Sequence, residues 1–143
     1  MIAAICVDDR GGLLFNGRRL SRDRAQREDL LALCGAGRLW MNGFSAPLFA
    51  GLEDRIAVDE NFLTLAGPGE VCFVEDRPLG PVRDRLEAVV VYRWNRAYPA
   101  DVHLDLDLAE AGFSLAERRE FPGTSHETIT REQYRRGGAY GQA

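Results

Sequence analysis

The sequence predicts an α/β domain with a mainly parallel sheet, an antiparallel edge near its C-terminal end and a few short flanking helices. Three observations lead there. The runs IAAICV (2–7) and AVVVYRW (88–94) are of strand length and continuously apolar, as in strands covered on both faces. Strand-like and helix-like segments alternate through the first half. Two segments near the end, 113–121 and 126–134, have the length and composition of a closing antiparallel pair.

The elements follow in order. After the first strand comes a Gly-Gly turn and then LLFNGRRL, which reads as a loop. Ser21 is the expected N-cap of a helix over 22–34, with Asp23 in its first turn, where the helix dipole favours a carboxylate. Gly35 and Gly37 end that helix. RLWM (38–41) reads as a second buried strand, and Ser45 as the cap of a short helix over 46–51 with Pro47 in its first turn. Short strands are expected at 55–58 and 71–75, a turn at 77–81 and a short helix over 82–87. Segment 88–94 is the strongest strand in the chain, β-branched and aromatic. VHLDLDL (102–108) alternates like a half-exposed strand. Residues 1–136 read as one domain, and GGAYGQA (137–143) as a flexible tail.

Composition narrows the chemistry. A chain of 143 residues that is 45% hydrophobic can support one core, burying roughly two-thirds of its unfolded surface. No apolar run approaches the roughly 20 residues that span a bilayer, and the N-terminus lacks a basic, signal-like start. The expectation is a cytoplasmic protein that does not engage membranes. Cys6, Cys34 and Cys72 are scattered, as reduced buried thiols are. All 18 basic residues are arginine, so a lysine Schiff base and a P-loop are both excluded. A net charge of -4 argues against a general nucleic-acid binder.

The apolar strand ending in VDD, the loop GLLFNG, a helix with an early aspartate and the strand LWMNG together resemble the opening of dihydrofolate reductases. The later VVVYRWNRAYPADVHLDLD is similar to that family's strand and following GDTHFP-like element, with Asp101 and His103 in matching places. The resemblance covers roughly residues 1–50 and 86–134 and implies a shortened, divergent member. It implies a catalytic role for Asp23, since L-S-R-D (20–23) matches the family's L-P-x-D, whose carboxylate holds the pterin. Asp29, in R-E-D-L, is the rival for that alignment. The resemblance also places Asn42, Gly43 and Ser45 at the family's cofactor loop. The departures bear on the cofactor. The proline-tryptophan pair before the acidic helix is replaced by Arg18-Arg19, the arginine after the LWM strand is missing, and the later Gly-Gly motif has no counterpart. The resemblance thus implies NADPH, while the residues predict no cofactor. A ribonuclease Z label, which short chains with this opening can carry, fails because two isolated histidines cannot build an HxHxDH metal site.

The remaining candidates each have an ordinary reading beside a functional one. Asp23 is either a cleft acid or a solvated helix-start carboxylate. Arg18, Arg19 and Arg22, with Arg24 and Arg27 close by, form either an anion site or a solvated helix face. Trp40, Trp94 and Tyr92 sit in strand patterns, where aromatics are usually core or interface, with a stacking site for a flat ring as the functional reading; Trp40 and Tyr92 with Asp29 are the candidate substrate-binding set. His103 reads as structural, His126 as exposed at the start of the last strand, and neither as a metal ligand.

Three functions follow. The first is a dihydrofolate reductase-like domain that binds a small heterocyclic or nucleotide-like ligand without classical NADPH-dependent reduction; if catalytic, it is an oxidoreductase. The second is a non-enzymatic module that dimerises or binds a partner, because the shortened middle would leave a sheet face and an edge uncovered; a homodimer is expected on that ground. The third is a phosphate or nucleic-acid binder acting through the arginine cluster.

Overall fold

A computed structural model describes residues 1–136 of the chain. The expectation of a flexible tail over 137–143 lies outside the described residues. Seven strands form one sheet in the order β5-β4-β6-β1-β7-β10-β9: β1 (Ile2–Val7), β4 (Leu39–Met41), β5 (Ile56–Val58), β6 (Val71–Phe73), β7 (Ala88–Arg93), β9 (Phe113–Phe121) and β10 (Ile129–Arg136). The pairs β5/β4, β4/β6, β6/β1 and β1/β7 are parallel. β10 runs antiparallel to both β7 and β9. The sheet is therefore mainly parallel with an antiparallel edge, as the sequence predicts.

The continuous apolar runs have the predicted cause. Side chains alternate across a strand, and in β1 and β7 both alternating sets are buried. Ala3, Ile5, Val7, Val89 and Val91 enter one core cluster. Ala4, Val90 and Tyr92 enter the other. The second face is covered by α1 (Arg24–Cys34), through Leu30 and Leu31, and by a 3-10 turn at Ala46–Phe49, through Phe49. The first is covered by the middle of the chain: Phe62 and Leu63 of the short α2 (Phe62–Leu65), Leu79, and Leu86 beside a 3-10 turn at Gly80–Arg85. The uncovered face on which the homodimer was expected is thus filled by segment 59–85. Cys72 is buried between strands, and desolvation pushes its thiol up to about 12.

Several local expectations need correction. Residues 12–20 are not a plain loop. β2 (Gly12–Phe15) and β3 (Arg18–Arg19) form a hairpin across Asn16-Gly17, and β8 (Val102–His103) joins β2 to make a second, three-stranded sheet. Asn16 and Gly17 have φ of 55° and 75°, the paired positive values a two-residue type I′ connection demands. Segment 102–108 is a strand only at Val102–His103. Its alternation survives in packing, with Leu104, Leu106 and Leu108 against the core, while Asp105 accepts the backbone N–H groups of Leu79 and Gly80 instead of lining an edge. The last strand begins at Ile129, so His126 precedes it. The helix cap is Asp23, not Ser21: the Asp23 side chain accepts from the N–H groups of Ala25 and Gln26. No helix of the described residues is long and apolar enough to cross a membrane.

Candidate functional site

Asp23 is the organising residue of the region around the start of α1. It is 1% exposed. Besides capping α1, its carboxylate accepts the backbone N–H groups of Thr124, Ser125 and His126, the Thr124 hydroxyl and His126 Nδ1. Burial opposes the charge, but the N–H groups of Thr124 and Ser125, with the His126 and Thr124 side chains, outweigh it and hold the carboxyl well below the usual carboxylate range. Gly123 permits the approach, since a Cβ there would lie 2.6 Å from Asp23 Oδ2 and from the His126 carbonyl.

His126 is 6% exposed, not at the surface where the sequence places it. Its ring stacks on Trp94 with centroids 4.6 Å apart. Nδ1 lies 3.1 Å from Asp23 Oδ2. Nε2 lies 3.1 Å from both the Ser21 and the Tyr98 hydroxyls. Nothing in the local sequence announces this cluster, because Ser21 and His126 are 105 positions apart.

Beside it opens a cleft of about 710 Å³ lined by Gly17, Arg18, Arg19, Ser21, Arg22, Phe44 and Ser125. The β2–β3 hairpin, the approach to α1 and the loop after β4 form its walls. The three predicted anion-binding residues meet here, but they differ. Arg19 is committed: it pairs through two nitrogens with Glu75 at 2.9 and 3.0 Å, donates to the Phe44 carbonyl and stacks on the Phe44 ring. Arg18 and Arg22 are exposed and make no ion pair among the described residues. Arg27, one turn into α1, has an Nη1 that is buried without a hydrogen-bond partner among the described residues. Burial, then Arg22, pushes its guanidinium below the ordinary arginine value.

The other candidates lie elsewhere. The Tyr92 hydroxyl donates to Asp29, which also receives two 2.9 Å contacts from Arg131. This network ties α1 to β7 and β10, and burial followed by the Asp29 charge drives the Tyr92 phenol strongly upward. Neither Asp29 nor Tyr92 lines the cleft. Trp40 is half-buried and donates from Nε1 to Glu70. The expected cofactor loop is occupied by carboxylates: Asn42 donates to Asp76, the Gly43 N–H to Glu60 and the Ser45 hydroxyl to Glu75. Among the described residues no group of three or more His, Cys, Asp or Glu side chains could hold a metal ion.

No protein-family model and no curated protein sequence matches the chain. Among solved structures, it is similar to the dihydrofolate reductase from Enterococcus faecalis complexed with NADP(H) and RAB-propyl. The TM-score is 0.64, over 95% of this chain and 96% of that one. The fold is dihydrofolate reductase-like. At 12% identity the likeness establishes the fold alone.

Proposed function

We propose that this dihydrofolate reductase-like domain binds a small anionic ligand, carboxylate or phosphate, in the cleft between the β2–β3 hairpin and the start of α1. The observation that carries the reading is the state of Arg18 and Arg22: two exposed guanidinium groups on one cleft, without carboxylate partners among the described residues. A guanidinium matches carboxylate and phosphate oxygens with paired hydrogen bonds. Arg27 behind them, with its unpartnered nitrogen, adds positive potential that an anion would relieve. Phe44, with Arg19 stacked on its ring, adds apolar surface to the cleft.

A nicotinamide dinucleotide does not fit these residues. A pyrophosphate needs free N–H donors at a helix start or nest. After β4 the donors Asn42, Gly43 and Ser45 are each bonded to a carboxylate, of Asp76, Glu60 and Glu75 respectively, and are not free to hold a phosphate. Mixing the pure protein with NADPH and dihydrofolate is expected to give no dihydrofolate-dependent loss of absorbance; robust oxidation would refute this part of the reading. The binding claim is tested by thermal-shift screening against folate, adenosine monophosphate and inorganic pyrophosphate. Stabilisation by at least one of them, lost on Arg18→Ala/Arg22→Ala, is the expected result.

A further inference from the structure

The geometry points to Ser21 as an acyl-accepting nucleophile, with His126 as its general base and Asp23 as the residue that positions the histidine. The partners of His126 fix the place of its proton. The Asp23 carboxylate is ionised and can only accept, so the Nδ1 at 3.1 Å must donate to it. In the neutral ring this leaves the lone pair on Nε2, directed at the hydroxyls of Ser21 and Tyr98. Stacking on Trp94 and burial fix the ring plane. A nucleophile, a base and a buried carboxylate that orients the base are the triad of a serine acyl-transfer site, recognised by geometry and not by fold. The hydroxyl also opens to a usable space, since Ser21 and Ser125 line the same cleft as Arg18 and Arg22.

The chemistry is ester hydrolysis. Ser21 Oγ attacks the carbonyl carbon while its proton passes to His126 Nε2. The bond to the leaving oxygen breaks, and that oxygen departs with the proton from Nε2. Water then attacks the acyl carbon, gives its proton to Nε2, and Ser21 Oγ leaves with that proton. Ester and water become acid and alcohol. Only the preferred substrate class, small esters with an anionic group, rests on the arginine-cleft reading. The nucleophile does not.

The test uses two esters, neutral p-nitrophenyl acetate and anionic p-nitrophenyl hemisuccinate, with nitrophenol release and peptide mass spectrometry as readouts. The chain has no lysine to acylate in competition. An acyl group on Ser21 is expected, absent in Ser21→Ala and formed about 100-fold or more slowly in His126→Gln, the usual worth of a positioned general base. Ser21→Ala removes one hydroxyl at a half-buried site, and its near-ultraviolet dichroism verifies the fold. No adduct on Ser21, or an adduct independent of His126 in a folded variant, overturns the proposal. A preference of about tenfold for the hemisuccinate, one charge-assisted contact's worth, supports the substrate class. Acylation without that preference removes the arginine reading and leaves the nucleophile standing.

Discussion

At the scale of single residues, Asp23 carries the most. It caps α1, gathers the 122–126 loop and holds His126. Asp23→Asn turns one oxygen into a donor that faces other donors, so a loss of about 2–4 kcal/mol in urea unfolding is expected. The pH dependence follows from the direction of its shift. The folded-state pKa is depressed below an unfolded value of about 3.9. The stabilisation is therefore fully present above that value and lost as pH falls through the folded pKa. Urea midpoints measured between neutral pH and strong acid should fall in the acid range for the wild type and fall less steeply for Asp23→Asn. Gly123→Ala tests the same knot from the other side. Its Cβ would collide with Asp23 and the His126 carbonyl, so a lower melting temperature and loss of the Trp94–His126 stacking signature in near-ultraviolet dichroism are expected.

At the scale of elements, what was legible in the sequence is what local pattern encodes. The central strands declare themselves because both faces of β1 and β7 are buried. α1 starts two residues later than the sequence predicts, because Ser21 is an equally good cap in isolation. Asp23 wins through partners at 124–126, which a local reading cannot see. The Asn16-Gly17 hairpin has a local signal, a two-residue turn of the type I′ composition between apolar segments. His126 carried none, since its burial comes from Trp94 on β7 and Asp23 on α1. The arginine-lined cleft is half legible: the arginine run marks the segment, but only the fold separates Arg19, locked to Glu75, from Arg18 and Arg22. Arg19→Ala should therefore destabilise the protein, by about 3–5 kcal/mol if Glu75 stays charged and buried, whereas Arg18→Ala should change stability by less than about 0.5 kcal/mol. Chemical denaturation of the two variants distinguishes them.

At the scale of the whole molecule, the short middle segment is enough. Phe62, Leu63, Leu79 and Leu86 cover the sheet face that would otherwise call for a second copy. The long edge strand β9 exposes Glu117, Arg118, Arg119 and Glu120, charges that discourage edge-to-edge pairing. A monomer of 15.9 kDa is the expected species in analytical ultracentrifugation at micromolar concentration; a dimer would show that the covered face is not sufficient. The proposed anion site lies in the cleft beside α1, where Arg18 and Arg22 make no ion pair among the described residues. Isothermal titration with folate and with adenosine monophosphate, for the wild type and for Arg18→Ala/Arg22→Ala at low and high salt, tests it most directly. Saturable binding of at least one ligand is expected, weakened by salt and reduced about tenfold or more in a double variant of unchanged melting temperature. Binding of neither ligand, or binding indifferent to both arginines, would contradict it.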